Sequence, residues 1–167
     1  MTESVLFYLF SLAAIVAGAS VITQRSPIAS ALSLVVCFFA LAADYVMLDA
    51  HFVAVVQVLV YAGAIMVLFI FVIMLLNIRE TGPTPTGVIS FRAGVGLAVA
   101  GLLGVAVIAV LDSVVHKAPA ELEPGYGSIK AIGGALFGGA YLLPFEAVSL
   151  LLTVGMIGAV VLAKREV

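Results

Sequence analysis

The sequence has no tryptophan, a single cysteine, two histidines and very little charge. Each shortage excludes something. Charged residues make up 10% of the 167 positions and hydrophobic ones 65%, whereas soluble domains carry about a quarter charged and about half apolar residues. A fold of this size surrounded by water could not hide so much apolar surface, so lipid is the solvent for most of these side chains. A net charge of −2 offers no basic face for nucleic acid. Cys37 alone can make neither an internal disulfide nor an iron–sulfur site, which takes several thiolates. Inside its apolar run it reads as a small apolar residue facing lipid or a neighbouring helix. His51 and His116 fall near the ends of apolar segments, away from the mid-span positions where paired histidines hold a haem. Without tryptophan, interfacial anchoring falls to tyrosine, arginine and lysine. No basic region precedes the first apolar stretch, as it would in a cleaved signal, so that stretch reads as a retained helix. Phosphate-binding glycine loops, metal-spaced His/Cys clusters and nucleophile–base sets are also missing. The chain alone is expected to perform no redox or hydrolytic chemistry.

What is present is a series of long apolar stretches, at about residues 4–23, 27–48, 52–77, 91–111 and 144–163. Each can cross a ~30 Å hydrocarbon core, which takes about 20 helical residues. Helices are the only reasonable choice, because the alternation of a barrel is absent and an open sheet edge leaves backbone groups unpaired in lipid. The chain therefore reads as a single all-α integral membrane domain with five transmembrane helices. Ser26-Pro27 is a good helix start, with Ser able to cap and Pro at the first helical position. Asp49 breaks the second run and can cap the third helix. The Gly/Pro-rich stretch 81–87 is a loop. Residues 112–143 form the longest connection, with Pro119, Pro124 and several glycines, and Pro144 then opens the last helix. Arg25, Arg79, Arg92, Lys164 and Arg165 flank one side, whereas Lys117 and Lys130 fall on the other. The positive-inside rule places the first group in the cytoplasm, with the N-terminus outside, the C-terminus inside and the 112–143 loop outside.

Small residues four apart mark faces where helices approach closely. Ala14/Gly18, Gly96/Ala100/Gly104 and Gly155/Ala159 carry that pattern. Short loops, no soluble domain and no evident cofactor site point to one part of a larger assembly. An odd helix count argues against two inverted halves.

Polar groups at membrane depth are costly and are functional candidates by default. Asp44, near the outer end of the second span, reads as a protonatable site on a proton or ion path, or as a carboxylate reaching the interface or pairing with a neighbour. Glu146, just after Pro144, reads as a carboxyl at the edge of a hydrated path, or as an acidic residue complementing the first turn of a helix. Gln57 reads as a hydrogen-bond relay, or as an interhelical hydrogen bond. Tyr61 follows Gln57 by four residues, which puts both on one face of an α-helix. Gly63 in Ala62-Gly63-Ala64 permits local rewinding into a π turn, or serves as a packing notch. The third stretch, about 39 Å of helix at 1.5 Å per residue, is longer than the core requires.

The run Val60-Tyr61-Ala62-Gly63-Ala64-Ile65-Met66-Val67-Leu68-Phe69-Ile70-Phe71-Val72-Ile73-Met74-Leu75-Leu76-Asn77 resembles the third helix of subunit J of NADH–quinone oxidoreductase, respiratory complex I, whose mitochondrial counterpart is NADH dehydrogenase subunit 6. Ser26-Pro27-Ile28-Ala29-Ser30-Ala31-Leu32 and the stretches from Leu136-Phe137-Gly138 to Leu150-Leu151-Leu152 add to the resemblance. The resemblance implies a cofactor-free membrane-arm subunit, with NADH, FMN, iron–sulfur clusters and quinone held by other subunits. It implies lipid and the H, A, K and N type subunits as neighbours, and a bacterial inner (plasma) membrane. It implies a π-bulge at Tyr61, Ala62, Gly63, Ala64 and Ile65. Interconversion of that bulge with plain helix would open and close a hydrated proton link from the quinone region to the antiporter-like subunits. Some family members carry Glu where this chain has Gln57, which removes a titrating role there, and Asp44 matches no hallmark of the family. The alternatives are the equivalent subunit of a membrane-bound hydrogenase or cation-antiporter complex, a free-standing small transporter, and a static scaffold.

Overall fold

A computed structural model describes residues 2–76, 91–115, 125, 127–139 and 141–164, with the side chains of 91–95, 97 and 112–115 excepted. The loop expected at 81–87, together with Asn77, Arg79, His116, Lys117, Pro119, Pro124 and Arg165, lies outside the described residues. The described chain is all helical: α1 (Thr2–Thr23), α2 (Pro27–Met47), α3 (His51–Val56), a π-helical segment (Gln57–Ile65), α4 (Met66–Leu76), α5 (Phe91–Val115), α6 (Ile129–Phe137) and α7 (Leu142–Ala163). α3, the π segment and α4 form one continuous span, His51–Leu76, of 26 residues. Among the described residues, this span, α1, α2 and α7 are long and apolar enough to cross a membrane, and α5 carries the apolar stretch Ala98–Leu111.

α2 is the hub. One of its faces packs on α1 and another on the third span. Along the α1 face, Ser30, Cys37 and Asp44 stand seven apart, the spacing that returns to one side of a helix every two turns. Each bonds across to α1. Ser30 Oγ donates to the Val21 carbonyl at 2.6 Å and Cys37 Sγ to the Ala14 carbonyl at 3.4 Å, while Asp44 Oδ2 accepts from Ser11 Oγ at 3.2 Å. Partners that descend along α1 as they ascend along α2 show an antiparallel pair. Buried Ala14 and Ala17 let the two backbones approach. Cys37 thus faces a neighbouring helix. Along the other face of α2, Ala31, Leu34, Val35 and Phe38 pack with Met66, Ile70 and Ile73, and Ala31 and Met66 are each only 2% exposed.

Three helix ends differ from expectation. Ser26 is the N-cap of α2, but its side chain makes no capping hydrogen bond; only its carbonyl is used, accepting from Ser30 N–H at 2.9 Å. Asp49 does not cap α3. It terminates α2 in the left-handed region at φ 56°, where the Ala50 N–H reaches back to the Tyr45 carbonyl at 2.9 Å. This is the wrapped ending usually made by Gly, and Asp is among the few side chains that tolerate it. α7 starts at Leu142, two residues before Pro144. The first four helical N–H groups have no partner inside the helix, so a proline at the third position costs no hydrogen bond. Glu146 is then the fifth helical residue, past the first turn, and the helix-end reading of its charge does not apply.

The connection 112–143 contains helix: α5 extends to Val115, and α6 starts from Ser128, whose Oγ accepts from Ala131 N–H at 3.2 Å. Phe137 meets Phe145 of α7 edge-on at 5.0 Å. Gly127, at φ 77°, passes so close to the α2–α3 turn that a Cβ there would touch the Asp49 carbonyl at 3.9 Å. Of the small-residue stripes, the one on α1 is used: a Cβ on Gly18 would meet Cys37 Sγ at 3.9 Å. Among the described residues, added Cβ atoms at Gly96, Gly104 and Gly155 would meet nothing within 4 Å.

The α1–α2 contact yields a ranking. Ala14→Leu forces the two backbones apart and should destabilise by about 1–3 kcal/mol. Ser30→Ala, which removes one interhelical bond, should cost about 0.6 kcal/mol. Thermal release of the chain from its purified assembly checks the order.

Candidate functional site

The site is the irregular stretch of the third span. Its boundaries show in the backbone bonds. The Gln57 N–H still points to the carbonyls of Ala54 and Val53, as in ordinary helix. The Met66 N–H points to the carbonyls of Gly63 and Tyr61, the latter five residues back. Between them the chain runs as a nine-residue π segment, four residues longer at its start than the 61–65 segment implied by resemblance.

The burial pattern gives the reason. The buried residues of this span are Ala54, Gln57, Ala62, Met66 and Ile73. Steps of three, four and seven return to one face of an α-helix, but Gln57 to Ala62 is a step of five. At 3.6 residues per turn that step carries a side chain about 140° off its starting face. A π turn closes i→i+5 hydrogen bonds and brings the fifth residue back over the first. The segment therefore absorbs one surplus residue and keeps two stretches of helix on the same side of α2.

This geometry corrects the pairing of Gln57 with Tyr61. Gln57 is 9% exposed and Tyr61 45%, because four residues do not complete a π turn. Tyr61 instead lies edge-on to Phe38 of α2, with ring centroids 5.6 Å apart. Gly63 stands at the tightest point. A Cβ there would come within 3.3 Å of the Val58 carbonyl, five residues back. That carbonyl is the natural π partner of the Gly63 N–H, so a side chain at 63 crowds the π form itself. Beside the segment an apolar groove of about 480 Å³ runs along Phe39, Ala42, Val46, Ala54, Val58 and Leu59.

The other candidates stand apart. Asp44 faces α1, where its Oδ2 takes the Ser11 hydroxyl and its Oδ1 is buried without a partner among the described residues. Glu146 is exposed on α7, which packs on α6 and, among the described residues, shares no extensive face with the first three spans. Its carbonyl accepts from Ser149 Oγ at 2.7 Å. Ser11 and Phe38 escaped the sequence reading, although the seven-residue ladder Ser30, Cys37, Asp44 was there to find. No three His, Cys, Asp or Glu side chains gather into a metal-holding group among the described residues.

Residues 17–162 match the family model of NADH-ubiquinone/plastoquinone oxidoreductase chain 6. The chain belongs to that family. It is 43% identical over 162 residues to NAD(P)H-quinone oxidoreductase subunit 6 of the Nephroselmis olivacea chloroplast, covering 94% of this chain and 93% of the relative. It is 38% identical to chain 6 of a Nostoc species, over 87% of this chain and 71% of that one. It is 34% identical to NADH-quinone oxidoreductase subunit J of Rhodobacter capsulatus, over 96% and 81%. As a chain 6 protein it is a membrane subunit of an NAD(P)H-quinone oxidoreductase complex, and other subunits of that complex are its partners.

The contact across the π segment is open to measurement. A double-mutant cycle on Phe38→Leu and Tyr61→Leu should give a coupling of about 0.5–1.5 kcal/mol, the range for edge-to-face ring pairs. Additive effects on thermal release of the chain would show that the two rings act independently.

Proposed function

We propose that the third span of this chain 6 protein is the moving part of a proton-pumping complex. The π segment Gln57–Ile65 interconverts with plain α-helix and so opens and closes a hydrated link between the quinone region and the antiporter-like subunits. The observation that carries the reading is the surplus residue held between two stretches of helix that both pack on α2. Release of that residue turns one stretch against the other by about 100° and shifts it about 1.5 Å. Either Ala62, Met66 and Ile73 leave the α2 face or Gln57 and Ala54 do. Gln57, buried at the start of the segment, is the hydrogen-bond relay that such a turn would expose to water or withdraw from it. Redox chemistry, with NADH, FMN, iron–sulfur clusters and quinone, lies on other subunits, and the H, A, K and N type subunits surround this one. Glu146, on an exposed face of α7, is a candidate for a proton path shared with one of them.

The same reading gives five spans, with the N-terminus outside and the C-terminus in the cytoplasm of a bacterial cell. The proximity of Gly127 to the Asp49 carbonyl supports it. That proximity favours a topology with the α2–α3 turn and the start of α6 on one side of the membrane. The third span crosses once, so the chain returns to that side before α6 only if α5 crosses as well, which makes two crossings.

Two variants test the gate. Gly63→Val should leave the complex assembled and sharply lower quinone-coupled turnover, because the side chain crowds the Val58 carbonyl in the π form. Deletion of Val60, an exposed residue between Gln57 and Ala62, removes the surplus residue and keeps the two buried stretches in phase as continuous α-helix. It too should assemble and lose coupling. Normal proton pumping in both variants would rule out a working role for the π segment and leave a static scaffold.

A further inference from the structure

Asp44 sits one turn before the end of α2 at Met47. Its Oδ2 is held by Ser11, and its Oδ1 is buried with no partner among the described residues. One turn further out is a cleft of about 280 Å³ lined by Glu3, Ser4, Phe7, Tyr8, Met47 and Leu48. Phe7 and Tyr8 precede Ser11 by four and three residues, and Met47 and Leu48 follow Asp44 by three and four. On both helices the cleft therefore stands directly above the pair. Its wall is more polar than that of the groove beside the π segment, where His51 is the one polar lining residue: Glu3 brings a carboxylate, and Ser4 and Tyr8 bring hydroxyls. A space that polar and roomy can hold water, which needs a volume of about 10–15 Å³ and two to four polar partners.

We propose that Ser11 and Asp44 form a proton-binding site that exchanges with the membrane face at which α1 begins, through water in this cleft. Neither residue of the pair lines the cleft, so a hydronium ion there hands its proton to a bridging water, which passes a proton on to the free Oδ1, and both are left as water. Ser11 keeps Oδ2 occupied in both states, so the pair takes up and releases a proton without separating the helices. A metal cation fits poorly. Hard cations take about six or more oxygen ligands, and this pair supplies the carboxylate and one hydroxyl. The titratable groups facing the site are Glu3 and Tyr8 from α1, with Cys37 two turns further in on α2. No titratable group of the third span lines the cleft. The site shares only its membrane setting with the gate and functions whether or not the π segment rewinds.

The test is infrared difference spectroscopy of the intact complex across a pH change and on transfer to heavy water. Asp44→Asn keeps the size and an acceptor for Ser11. One carboxylic-acid carbonyl band of the parent complex should be lost in Asp44→Asn and shifted in Ser11→Ala. Tyr8→Trp fills the cleft, and there the deuterium shift of the same band should be delayed. A spectrum that Asp44→Asn leaves unchanged overturns the proposal, as does a band that exchanges equally fast in Tyr8→Trp. If Asp44→Asn does not assemble, Ser11→Ala decides: every carboxylic-acid band staying in place overturns the site. Gly63→Val serves as the control that separates this site from the gate, because it should alter coupling and leave the band untouched.

Discussion

In hydrocarbon every backbone N–H and C=O must find its partner within the protein, because an unpaired group costs several kcal/mol and no water is at hand. That demand makes the described chain all helix. It also limits how an inserted residue can be accommodated. A loop at membrane depth would strand several backbone groups. A π turn strands almost none, since each N–H reaches one residue further back. The segment Gln57–Ile65 is thus the form that a surplus residue can take here with the least loss. Glycine at 63 relieves the remaining crowding at the Val58 carbonyl. The π and α forms of such a segment both keep their backbone bonded, so the difference between them rests mainly on side-chain packing against α2 and on neighbouring subunits.

Packing obeys the same solvent. Lipid tails are as apolar as leucine, so burying leucine between helices gains little. The α1–α2 contact accordingly uses alanine and glycine for close approach, and a hydroxyl, a thiol and a carboxylate for interhelical bonds. These bonds are worth little individually, but they fix register along the whole pair. The third span is attached differently, by the shape of Met66 and Ile73 against Ala31 and its neighbours. A polar seam holds α1 to α2, and an apolar one holds the third span to α2.

Four of the expected spans recur as helices long and apolar enough to cross a membrane among the described residues, because hydropathy measures the property that the membrane selects. The third was read at 52–77 and runs His51–Leu76. The helix ends were less legible. Ser26, Asp49 and Pro144 are ambiguous tokens: a Ser before Pro caps with its side chain or only with its carbonyl, an Asp opens one helix or closes another, and a Pro fits any of the first four helical positions. The irregularity near Gly63 was visible as a permission. Its extent back to Gln57 was not, because the five-residue step appears only once the face turned toward α2 is known. The pairing of Gln57 with Tyr61 failed for the same reason, since it assumed α periodicity at the one place where the chain abandons it.

The outward faces carry the remaining argument. α7 is apolar and exposed along nearly its whole length, as are the described side chains of α5. Lipid alone could cover them, but lipid does not require Gly96, Ala100 and Gly104 to stand in line on α5, nor Gly155 and Ala159 on α7. On α1 the equivalent pair, Ala14 and Gly18, is where α2 comes close. A small-residue stripe that is filled on one helix and open on two others is what a subunit shows when its remaining partners belong to other chains. Membership of chain 6 supplies those partners. Among the described residues the chain's own contacts hold the first three spans together, and no comparable contact ties α5 or α7 to them.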